Sequence, residues 1–134
     1  MADLTITAAN VKPLTGATLQ TVTYGETIDQ GESVYLSANK YYKADADASE
    51  AAAAAVAIAI TPGVADGVGV IATRGSINVG ATLTQGEIYV VSGNAGGIAP
   101  EGDLASGDYV TIIGIARSSS ELYINIIASG AQVP

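Results

Sequence analysis

Apolar and polar positions alternate in short runs along most of this chain, which is the period of strands and not of helices. Leu122, Ile124 and Ile126 alternate with Tyr123, Asn125 and Ile127, and Val68, Val70 and Ala72 alternate with Gly69, Ile71 and Thr73. Residues 33–37 and 88–92 are short runs rich in Val, Tyr, Ile and Leu, while 56–61 and 109–116 are apolar enough for buried strands. Turn residues separate them: Gly31, Ala38-Asn39, Pro62-Gly63, the glycine-rich run at 93–97 and Ser118-Ser119-Ser120. Thr73-Arg-Gly75 reads as one more turn. Residues 4–7 and 19–23 also alternate, so further strands are expected ahead of the main body. One segment departs from the pattern. Acidic residues and Ser49 precede five alanines in residues 45–55, which predicts an N-cap and a helix of one or two turns. Residues 100–108 hold too much glycine for a second helix and read as a loop.

The pattern repeats. Gly25-Glu-Thr-Ile-Asp-Gln-Gly-Glu-Ser-Val-Tyr-Leu-Ser-Ala-Asn39 aligns with Gly80-Ala-Thr-Leu-Thr-Gln-Gly-Glu-Ile-Tyr-Val-Val-Ser-Gly-Asn94, an offset of 55 positions with 7 of 15 pairs identical. The same offset carries Ile58 onto Ile113, Ile60 onto Ile115, Ile71 onto Ile126 and Gly75 onto Gly130 without a gap. Chance rarely keeps register over such a length, so an internal duplication follows. Neither copy can bury its apolar face alone. The expected fold is mainly β: a small duplicated, pseudo-two-fold β-barrel or sandwich with one short helix and an extended N-terminal arm. Residues 1–24 have no copy and form the arm or an edge strand. Residues 25–134 form a single β domain of two repeats, 25–79 and 80–134.

Composition narrows the function classes. The chain has 134 residues with no cysteine and no histidine, which excludes disulfides, thiol chemistry and Ser–His or Cys–His nucleophiles. Five basic residues are scattered among thirteen acidic ones, for a net charge of −8, so no basic stripe exists to meet a nucleic acid backbone. The N-terminus lacks the basic start and apolar core of a signal peptide, and the longest apolar run is about half a bilayer span. The expectation is synthesis in the cytoplasm and no membrane partner.

The remaining chemical motifs have simpler readings. Glu32 and Glu87 are equivalent by duplication, yet each follows its turn glycine, where a Glu marks a solvated strand start. Asp45-x-Asp47-x-Ser49 opens like a calcium loop, but positions six and twelve are Glu50 and Val56 instead of Gly and Glu. Gly67-Val-Gly69-Val-Ile-Ala72 is not followed by a helix, so its glycines are read as strand entry and close packing. No catalytic, cofactor or metal residues are assigned, and no enzyme is expected. Tyrosine is the only aromatic residue, with Tyr24, Tyr35, Tyr41 and Tyr42 in one stretch. Such a cluster is either an interface or sugar-stacking anchor, or a set of barrel-end side chains.

Two features resemble the capsid decoration (cement) proteins of tailed bacteriophages, of the lambda-type head decoration kind. One is Gly25-x-Thr-Ile-x-x-Gly-Glu-x-Val-Tyr-Leu with its copy at Gly80. The other is Tyr42-Lys-Ala-Asp-Ala-Asp, then Ala53-Ala-Ala-Val-Ala-Ile-Ala, a glycine-rich turn and Gly69-Val-Ile-Ala-Thr-Arg-Gly75. The resemblance implies a virion protein on the capsid surface, assembled in the host cytoplasm. It would stabilise contacts between major capsid protein subunits, as a homo-oligomer with a trimer favoured. It also implies partner-binding roles for Leu4, Thr5, Ile6 and Thr7, which would add a strand to a shell subunit. The alternative is a tail, fibre or adhesin module whose Tyr41 and Tyr42 meet a glycan or protein receptor.

Overall fold

The computed structural model describes residues 3–134, so residues 1 and 2 of the expected arm lie outside the described residues. Ten strands follow in order: β1 (Lys12–Pro13), β2 (Thr18–Thr23), β3 (Ser33–Ser37), β4 (Lys40–Lys43), β5 (Ala57–Ala59), β6 (Val68–Asn78), β7 (Ile88–Val91), β8 (Ile98–Pro100), β9 (Tyr109–Ala116) and β10 (Glu121–Gln132). A single helical turn, α1 (Glu50–Ala53), lies between β4 and β5. The mainly β architecture with one short helix is the one expected. The helix starts where the sequence placed it, since the Ser49 side chain accepts the Ala52 N–H. It stops after one turn because Ala55, Ala57, Ile58 and Ala59 are drawn into buried extended structure.

The sheet runs β4-β3-β5-β6-β10-β9-β7-β8, with every strand pair antiparallel. The order is a palindrome of the two halves. In the first, β3 lies between β4 and β5, and β5 leads to β6. In the second, β7 lies between β8 and β9, and β9 leads to β10. Each half enters its first strand through the same turn. Gly31 and Gly86 occupy its third position at φ +85° and +87°, a conformation that costs a residue with a β-carbon.

Residues 12–23 take the edge-strand role and are part of the body. Ile71 and Ala72 of β6 pair with β2 on one side and β5 on the other, while Ile77 and Asn78 pair with β1 and β10. At its far end β2 leads into Tyr24, which bridges to Tyr41 of β4. The first-half sheet thereby curls back on itself. Inside the curl lie Val22, Tyr24, Ile28, Val34, Tyr41, Ala57, Ala59 and Ile71. A larger core joins the halves, built around Ile58, Ile77, Val79, Val91, Ile98, Ile113, Leu122 and Ile124. Each fully buried Ile, Leu or Val contributes about 1.5–3 kcal/mol before its ordering cost.

Two local expectations are corrected. Thr73, Arg74 and Gly75 form no turn, because β6 continues through them for 11 residues. Gly75 absorbs the bend at φ +92°, and a β-carbon there would come within 2.2 Å of the Gly16 carbonyl oxygen. Contact with the turn between β1 and β2, invisible to local pattern, replaces the turn expected here. Residues 4–7 form no strand either. Their alternation reflects side chains seated on the body, with Leu4 and Ile6 packed against the larger core.

Candidate functional site

The arm residues named from sequence are held by their own chain. Leu4 N–H donates to Ile98 C=O at 2.8 Å, and Thr7 N–H donates to Gly80 C=O at 2.7 Å. Asp3 accepts from the Ser92 hydroxyl at 2.6 Å and the Asn94 amide at 3.2 Å. Thr5 and Thr7 are exposed, and Ile6 sits on Gly31. The outer side of β8 is thus covered by residues 3–7.

The two tyrosines named from sequence part company. Tyr41 is buried in the small core. Tyr42 is half-buried with its ring against Gly25, and its centroid lies 5.9 Å from that of Tyr35 in a tilted arrangement. Tyr24, which sequence grouped with them, is fully buried, and its hydroxyl donates to Thr61 C=O at 2.7 Å. Burial raises its pKa, and the hydrogen bond to Thr61 works against that shift.

The hairpin and the loop before β6 carry exposed apolar side chains. Lys40 at the β3–β4 turn pairs with Asp66 at 2.5 Å, tying the hairpin to the loop before β6. Hydrogen bonding to Asp66, reinforced by its charge, raises the Lys40 pKa. Leu36 on the hairpin and Val64 and Val68 on either side of Asp66 are 50%, 63% and 69% exposed. Side chains of this type usually face a core, so these three residues are the candidate contact positions of the described surface. Sequence reasoning missed these positions, because the Lys40–Asp66 pair joins residues 26 positions apart.

The acidic residues serve local structure. Asp3, Asp47, Asp103 and Asp108 line one recess with Ser92 and Asn94. Asp108 accepts the Ala105 N–H, and Asp45 accepts the Asp47 N–H. Glu32 accepts the Asp29 N–H at 2.7 Å, closing its own turn. Among the described residues, no group of three or more His, Cys, Asp or Glu side chains is arranged to hold a metal ion. No helix among them is long and apolar enough to cross a membrane. No family model, no curated protein and no solved structure matches this chain.

Proposed function

We propose that this protein is a structural binding module, a capsid decoration protein that attaches to the outer surface of a phage head and stabilises contacts between its shell subunits. The observation that supports this reading is the exposure of Leu36, Val64 and Val68 on the hairpin and the loop that the Lys40–Asp66 pair ties together. Exposed apolar side chains beside a charged pair fit the apolar centre and polar rim of protein–protein contacts. The resemblance at Gly25 and Gly80 supplies the partner, a major capsid protein. A glycan-binding role is less well supported, since Tyr41 is buried and the Tyr42 ring rests on Gly25.

The test is the copy number of this protein in purified particles of its source, measured by mass spectrometry against the main shell protein. Abundance comparable with the shell subunit is expected, and release of the Val64→Asp, Val68→Asp double variant from shells should follow. A handful of copies per particle would transfer the protein to the tail, and absence would overturn both assignments.

A further inference from the structure

Most sheet edges in this protein are covered by its own chain. The outer side of β4 is met by Gly25, whose N–H donates to Tyr41 C=O, and by Glu26, which accepts the Lys43 N–H. Leu4 covers β8 at Ile98, and β1 carries Lys12 and Pro13, residues that discourage further pairing. Two stretches have a strand on one side only. One is the outer side of β2, whose residues 18–21 are exposed. The other is β10 beyond Ile124, which pairs there with β9 alone and is exposed from Ile127 to Gln132.

In the duplication, the position equivalent to this β10 stretch does carry a strand. β10 stands at the place of β6, and β9 at the place of β5. The side of β6 away from β5 carries β2, with Thr21, Gln20 and Leu19 opposite Val70, Ile71 and Ala72. The repeat offset puts Asn125, Ile126 and Ile127 at those three places in β10. On that side no second copy of the arm exists to cover them. A groove runs beside the stretch, between Val56 and Arg74 on one wall and Asn125, Ile126 and Ala128 on the other.

We propose that the uncovered stretch of β10 receives the outer side of β2 from a second copy of this chain. Both stretches are uncharged: no Asp, Glu, Lys or Arg occurs in residues 18–23 or 122–134 of a chain with net charge −8. The charges beside the β10 stretch are the Glu50 carboxylate against Gly130 and Arg74 across the groove, so the pairing strands themselves bring no like charges opposite each other. Each stretch presents one large exposed apolar side chain, Leu19 at 46% and Ile127 at 54%. The contact uses different surfaces on the two partners, so it is head-to-tail, leaves each copy with one donor and one acceptor edge, and closes into a ring when the rotation permits. Backbone pairing continues the sheet from β6 through β2 into the neighbour's β10. The proposal requires no shell and is independent of capsid attachment.

Sedimentation velocity of the free protein tests it. The native chain should grow with concentration beyond its 13.3 kDa monomer. Leu19→Glu and Ile127→Glu, both at exposed positions, should each remain monomeric with an unchanged melting curve. An equimolar mixture of the two should form a species of two chains and no larger one, because each variant retains the edge that the other has lost. A native chain that stays monomeric to millimolar concentration overturns the proposal. So does a Leu19→Glu chain that still self-associates, or a mixture that stays monomeric. Hydrogen exchange on the unmodified chain covers the case of a misfolded variant. Amides in 18–21 and 125–132 should slow together as concentration rises, and assembly without that slowing places the contact elsewhere.

Discussion

Tyr24 and Gly69 fit face to face: a β-carbon on Gly69 would lie 2.2 Å from Cζ of the Tyr24 ring. Gly63 meets the same ring, where a β-carbon would lie 2.5 Å from Cδ2. The two glycines make room for the one large side chain that fills the first-half core. Tyr24 in turn joins β2, β4 and β6, through its bridge to Tyr41 and its backbone bond to Gly67 C=O.

Gly69→Ala therefore forces a buried ring to move where neither the ring nor the β6 backbone has space. Overpacking of this kind costs about 1–3 kcal/mol, and the upper part of that range is expected here. Chemical denaturation should show a lower midpoint with an unchanged slope. A loss of a few tenths of a kcal/mol would mean that the ring has another seat.

Burial raises the Tyr24 pKa above its ordinary value of 10.0. The stability linked to such a group is intact below the unfolded value and is lost as pH rises through the folded one. Stability should accordingly be steady through neutrality and fall above about pH 10. Lys40, whose pKa is also raised, loses its pairing with Asp66 in the same alkaline direction. Tyr24→Phe should cost about 1 kcal/mol at neutral pH through the lost bond to Thr61. It should also flatten the alkaline fall without abolishing it. Urea midpoints from pH 7 to 11 measure both effects, and an equally steep fall in the variant would exclude Tyr24 as a contributor.

The paired turns offer an internal control on the N-terminal segment. A β-carbon at Gly86 meets nothing within 4 Å, whereas one at Gly31 would lie 2.7 Å from Cγ2 of Ile6. Gly86→Ala should cost about 1–2 kcal/mol, from the left-handed backbone alone. Gly31→Ala should cost more, with the excess disappearing in an Ile6→Ala background. A coupling between Ile6 and residue 31 of about 0.5–1.5 kcal/mol is expected from the double-mutant cycle. Zero coupling would place Ile6 away from Gly31 in solution.

Strand periodicity and the repeat made most of the secondary structure legible, including β3, β4, β7, β9 and the Ser49 cap. The candidate surface was much less so. Tyr24, Tyr41 and Tyr42 are alike in sequence, yet one fills a core, one closes a sheet and one lies half-exposed on Gly25. Which role each takes depends on the side of the strand it occupies and on what crosses it, and a local pattern holds neither. Thr73-Arg-Gly75 was misread for a similar reason: Gly75 answers to Gly16, a neighbour in space alone.

By itself, then, the sequence determined the class of the fold, because alternation and turn chemistry act between residues close in the chain. It also set the two-copy plan, since like segments make like hairpins, and it holds no Cys or His. Tertiary structure alone decided where the copies differ. One uncopied strand, β2, can cover only one of two equivalent edges, and it lies on β6. Backbone hydrogen bonding is satisfied there and left open on β10. That imbalance between two near-identical halves comes from pairing across about 50 residues, a relation no stretch of sequence displays on its own.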